Sequence, residues 1–229
     1  HYIVLGYKPI DIEFPNGRIS QAYAGVVQEQ KNEKVVFEWD GGDHPELIAA
    51  CQKDCPQWMD KNADFMHVNS IQVDPKDNNL IISMANTYSV VKVKRSSGKI
   101  MWQLGGKQDD FGLTPNQKFH RQHDAQMLTN RRFVLFDNGY NAKKSARILI
   151  FKLDEKNKIV EDFKEIPLRT FIPFMGSVQV LNNENLFIGC GSSHGCAAKL
   201  IDKSGKAYFR MVVNRPYTTY RAYFFPTLD

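Results

Sequence analysis

The sequence predicts an all-β protein, a β-propeller of four-stranded antiparallel blades. Three observations carry that prediction. Segments starting at Ser70 (SIQVDPKDNNLIISMANT), Asp124 (DAQMLTNRRFVLFDNGYN) and Ser177 (SVQVLNNENLFIGCGSSH) each read as strand, polar turn, strand. Their shared glutamines, Gln72, Gln126 and Gln179, stand 54 and 53 residues apart, a fixed period that marks a repeat array. A second hairpin pattern falls between these units, as in VVKVKRSSGKIMWQL at 90–104, ILIFKLDEKNKIVEDFK at 148–164 and KLIDKSGKAYFRMVV at 199–213. Two hairpins per period make the four strands of a blade, whereas a β-sandwich has short strands without this four-strand period.

Taken in order, EQKNEKVVFEW at 29–39 is a hairpin of the second kind. The stretch 44–62 (HPELIAACQKDCPQWMDKN) breaks the β pattern and is expected to be a helical or irregular insertion. From there the three aligned units run to the end. The expected domain is a single propeller over 1–229 with about four to five blades, leaving room for a missing amino-terminal part. Trp39 and Trp102 are expected to pack between blades.

Charge and cysteine content bound the function. Lys and Arg number 30 against 25 Asp and Glu, and the excess is scattered, which argues against a nucleic-acid reader. No apolar run approaches the length of a membrane span. His1 is followed at once by strand-like sequence, so no signal peptide is read, with a cleaved signal left open. The cysteines fall in two close pairs, Cys51/Cys55 and Cys190/Cys196, at spacings that match no standard zinc pattern. Two short disulfides in an oxidising compartment are the preferred reading over free thiols, with connectivity open.

The histidines fall at suggestive places in the repeat. His67 lies five residues before Gln72 and His123 three before Gln126. Offsets differing by two put both side chains on one side if the entering strands are regular. Loops between second and third strands, expected on the same face, carry Asn86, Asn138 followed by Arg147, and His194 in GCGSSHGC. His120 and Arg121 fit the offsets less well. This set lacks a carboxylate cluster for a hard cation, and a three-histidine metal site is the competing use.

At these residues the sequence resembles the arylsulfotransferase family. The resemblance rests on the run at 64–111 with HVNS and LGGK, on QHDA within 122–128, FDNG at 136–139, SARIL at 145–149, GSVQVLNNENLFIGCG at 176–191 and TYRAYFFP near the end. It implies a six-bladed propeller that moves a sulfuryl group from an aryl sulfate donor to a phenolic acceptor, without the nucleotide sulfate PAPS. A histidine takes the group and passes it on. The resemblance therefore implies His194 or His123 as nucleophile and His67 among the catalytic histidines. It implies Asn69, Asn138 and Arg147 as sulfate-binding residues. No cofactor and no metal are implied. Expected partners are the two small molecules, with no nucleic acid and no membrane span. Another polypeptide supplying further blades, or a second copy, fits the short chain. The expected location is secreted, extracellular or periplasmic. The alternative is an inactive propeller serving as a binding or structural module.

Overall fold

The computed structural model describes residues 1–14, 16–54, 63–139 and 145–226. Its described residues form four four-stranded sheets and almost no helix. By contact they divide into two compact units, His1–Lys118 and Phe119–Asp229.

In the first unit, β1 (Tyr2–Glu13) and β2 (Ile19–Lys31) form a long antiparallel hairpin, and β3 (Lys34–Asp40) pairs with β2. Pro9 sits in β1, which is tolerable because β1 is the edge strand. A 3-10 turn, Gly41–Asp43, capped by the Asp40 side chain, leads into the expected insertion, which opens with α1 (Pro45–Asp54). The short β4 (Ala63–Asp64) then returns to pair in parallel with β2. The expected Cys51 to Cys55 pairing falls outside the described residues. The second sheet is a simple meander: β5 (Val68–Val73), β6 (Leu80–Met84), β7 (Ser89–Val93) and β8 (Ile100–Gly105).

The second unit repeats that meander twice. One copy comprises β9 (His123–Met127), β10 (Arg132–Asp137), β11 (Arg147–Asp154) and β12 (Ile159–Pro167). The other comprises β13 (Ser177–Val180), β14 (Leu186–Gly189), β15 (Ala198–Ile201) and β16 (Ala207–Met211). The three repeat segments read from the sequence are thus the first hairpins of three successive blades.

Each unit buries one apolar layer between its two sheets. In the first, Ala24, Val27 and Trp39 meet Leu80, Ile82, Val91 and Val93, so Trp39 packs between blades as expected. Trp102 is buried too, edge-on to Phe111 with ring centres 5.5 Å apart. In the second unit Val134, Phe136 and Ile148 meet Val178, Ile188 and Ile201.

Polar residues at repeated positions stitch the second unit together. Asp124 Oδ2 accepts from the Val178 N–H at 2.8 Å, and Gln126 Nε2 donates to the Val178 carbonyl at 2.9 Å. One period later, Ser177 Oγ and the Gln179 amide make the same kind of pairing with the backbone of Ala222 and Phe224. The glutamine that marks the repeat is therefore a rung to the next extended segment. It is polar because it must satisfy an N–H or C=O that no ladder partner reaches.

The carboxylates of the β5–β6 turn, buried Asp74 and exposed Asp77, meet a cation from β7. Lys92, fully buried on β7, donates to Asp74 at 2.7 Å and Asp77 at 2.8 Å. Burial works against the Asp77 charge, but hydrogen bonds from Lys92 and Asn79 outweigh it and hold its carboxyl below the ordinary value. Its contribution to stability is therefore present above the unfolded carboxylate value and fades as pH falls through the lower folded one. Removing the cation strands the fully buried Asp74. Lys92→Met is expected to cost about 3–5 kcal/mol by urea denaturation at neutral pH, because an unpaired buried charge remains. A loss within error of zero would mean that the pair is not needed.

Candidate functional site

In the first unit, the turn entering β5 is built around Asp64. Its carboxylate accepts from the His67 backbone N–H at 2.7 Å and holds His67 Nδ1 at 2.6 Å. His67 adopts a left-handed backbone, φ 51°, which these bonds support. The turn is closed from the 85–86 loop. Ala85 N–H donates to the His67 carbonyl, and Asn86 Nδ2 to the Asp64 carbonyl at 2.6 Å. With Nδ1 facing a carboxylate, the imidazole is oriented by Asp64. The His67 side chain is 34% exposed. Asn69 sits where the β5–β6 register shifts between Val68 and Ser70, a bulge that re-aims a side chain, and it is buried.

In the second unit, His123 is 1% exposed and both of its nitrogens are engaged. Nδ1 lies 3.0 Å from the Arg121 carbonyl and 2.9 Å from Asn138 Oδ1, so it carries the proton. Nε2 accepts from the Met175 N–H at 3.2 Å. Asn138, fully buried, donates to the carbonyls of Ile172 at 2.8 Å and Met175 at 2.9 Å. The pair thus holds Met175 by both of its backbone groups. Met175 needs that support, since it is a non-glycine residue at φ 63°. The following Gly176 is at φ 109°, and a Cβ there would lie 2.8 Å from the Phe136 ring.

His194 hangs from this arrangement through backbone bonds. Cys190 and Cys196 form the disulfide read as one candidate from the sequence, with Cα atoms 5.7 Å apart. Ser192 Oγ and N–H donate to the Phe174 carbonyl, one residue before Met175. Gly191 allows the approach, because a Cβ there would come within 2.8 Å of Gly176 N and the Phe174 carbonyl. His194 itself is exposed at the tip of the closed loop.

Two expected geometries turn out differently. The entering strands are not regular. The positive-φ residue His67 has its repeat counterpart in Arg121, φ 55°, and Asn69 has its counterpart in His123. The alternation that would set His67 and His123 on one side therefore does not apply, since left-handed residues and bulges interrupt it. Arg147, expected as a sulfate ligand, opens β11 directly opposite Asp137. Its Nε donates to Asp137 at 2.8 Å and Nη1 pairs with Glu165. Burial opposes its charge, but the two carboxylates prevail and raise its pKa. Asp137 in turn accepts from the His120 and Gly139 N–H groups, which shapes the FDNG turn. Asn86 likewise serves a backbone carbonyl.

Sequence reasoning missed Asp64, three residues before His67, although that spacing is readable. It also missed Tyr223, whose hydroxyl donates to Asp124 at 2.8 Å across 99 residues, a pairing that local pattern does not encode. Burial raises the Asp124 carboxyl above its ordinary value and pushes Tyr223 up to about 12.

Asn138→Ala is expected to cost about 1–3 kcal/mol in a denaturant titration, because the Ile172 and Met175 carbonyls lose their donor. A shift below about 0.5 kcal/mol would show that the 172–175 turn holds itself.

Known proteins agree with this architecture. The family Arylsulfotransferase (ASST) matches residues 24–214. A solved protein of unknown function from Bacteroides caccae superposes with TM-score 0.53 at 10% identity, covering 95% of this chain and 72% of its own. The PQQ-bound aldose sugar dehydrogenase of Streptomyces coelicolor superposes with TM-score 0.45 at 14% identity, covering 62% of this chain and 46% of its own. An inactive virginiamycin B lyase from Staphylococcus aureus, solved with quinupristin, does so with TM-score 0.45 at 10% identity, covering 94% and 61%. The first speaks for the fold; the other two, at that TM-score, carry no argument. No curated protein matches. With the family match spanning most of the sequence, the chain belongs to the arylsulfotransferase family.

Proposed function

We propose that the protein moves a sulfuryl group from an aryl sulfate to a phenol, with His67 as the group that takes it up. One observation carries this reading: the Asp64–His67 pair, in which a carboxylate fixes one ring nitrogen of a part-exposed imidazole. In the first step Nε2 attacks sulfur, an N–S bond forms, and the S–O bond to the phenol breaks. The phenolate leaves with the electron pair and is protonated. In the second step an acceptor phenol attacks the same sulfur, the N–S bond breaks, and the phenol proton passes to a base. Splitting the transfer in two is the benefit of covalent catalysis. Asp64 stabilises the cationic ring that the first step creates.

Asn69 enters as a sulfate-binding residue through the family motif. His194, exposed on its disulfide-closed loop, can act as acid or base toward a phenol. His123 and Asn138 serve by positioning the 172–175 turn, and Arg147 by neutralising Asp137 and Glu165. The Cys190–Cys196 disulfide supports a secreted, extracellular or periplasmic location. Among the described residues no helix is long and apolar enough to cross a membrane.

One observation favours a non-catalytic propeller instead: His123, Asn138 and Arg147, three residues of the family motifs, are engaged with the protein's own groups. Kinetics separate the two. With 4-nitrophenyl sulfate and a phenol, the folded chain is expected to give ping-pong behaviour, and His67→Ala to lower kcat by about a hundredfold or more. His194→Ala is expected to lower kcat. Full activity in His67→Ala would remove His67 from the reaction. No transfer by the folded chain would favour the inactive module.

A further inference from the structure

Within the second unit, a cleft of about 480 Å³ opens between the end of β12 and the β15–β16 hairpin. Arg169, Lys199, Lys206 and Arg210 line it beside Ile201 and Ser204, and no carboxylate is among the described lining residues. Lys199 and Arg210 stand directly opposite each other on β15 and β16. Like charges placed directly opposite each other on paired strands repel and are destabilising. Burial, and then the Arg210 charge, pull the Lys199 ammonium below its ordinary value.

The carboxylate closest in sequence is committed elsewhere. Asp202 Oδ1 accepts from the Ser204 N–H, the Ser204 hydroxyl and the Lys206 N–H, and Oδ2 from the Tyr208 hydroxyl. Those bonds lower its pKa to about 2 and shape the turn that presents Lys206. Arg169, at φ 53° just past β12, supplies the opposite wall. Two cations therefore come from paired strands and two from the segments that flank them, and Arg210 is anchored by its Nη2, which donates to the Gly195 carbonyl at 2.9 Å.

We propose that this cleft binds a tetrahedral oxyanion, sulfate or phosphate. An oxyanion between Lys199 and Arg210 relieves their repulsion, and the Arg guanidinium groups offer forked donors to its oxygens. None of these residues belongs to the His67 turn or to the His123–Asn138 pair.

The test is titration of the full chain with sodium sulfate and with sodium phosphate, against sodium chloride at matched ionic strength. It is read by calorimetry and by the amide NMR signals of Ser204, Gly205 and Lys206. Saturable binding that moves those amides is expected for either oxyanion and not for chloride. In K199M/R210M binding is expected to weaken at least about tenfold. Should that variant not fold, R169Q/K206Q changes residues outside the strands and is expected to weaken binding at least about threefold. Wild-type affinity in a folded variant, or equal movement of the amides by chloride, would overturn the proposal.

Discussion

Two buried side chains set the geometry of the second unit. His123 receives the N–H of Met175 and Asn138 donates to its carbonyl, while His123 and Asn138 bond each other at 2.9 Å. Each bond determines the next. Asn138 must present its oxygen to His123 because its amide nitrogen is committed to two carbonyls. His123 must carry its proton on Nδ1 because Nδ1 faces only acceptors. Met175 can then sit at a positive φ, which lets Gly176 pass beneath the Phe136 ring and β13 begin. Such a buried polar network is stable only when every member is satisfied.

The consequence reaches the loops. Phe174, fixed by its neighbour, accepts from Ser192, and the Cys190–Cys196 bridge closes the loop around that contact. His194 is thereby carried on a short, tethered loop instead of a free glycine-rich one. The same economy governs the first unit, where one carboxylate, Asp64, binds both the backbone and the ring of His67. In both units a strained residue ahead of a first strand is supported by polar groups close by. The difference lies in exposure: the His67 side chain is part-exposed, whereas His123 is buried with both nitrogens bonded within the fold.

Much of the fold was legible because a blade is a local object. Two hairpins per period are written in alternating apolar residues and polar turns, and the repeated Gln126 and Gln179 mark rungs to β13 and to the segment at Phe224. The first sheet was less legible. Its β1–β2 hairpin is longer than the other hairpins, and its fourth strand, β4, arrives in parallel after the helical insertion. The repeat offsets single out His67 and His123, and the family resemblance adds Asn69, but the strand alternation expected between the two offsets does not apply. Periodicity assumes a regular strand, while the backbone runs into β5 and β9 through left-handed residues and a shift of register. Arg147 was read as a ligand for an external anion. Its two carboxylate partners come from neighbouring strands, and strand pairing, not local sequence, brings them together.

The proposed transfer requires His67 to form a covalent bond to sulfur. The direct measurement is peptide mass spectrometry after brief incubation with an aryl sulfate in the absence of acceptor, followed by an alkaline quench. The account predicts one added SO3 group on the peptide carrying His67, discharged when a phenol is supplied. Sulfation found instead on the peptide of His123 or His194, or no sulfated histidine while transfer proceeds, would contradict it.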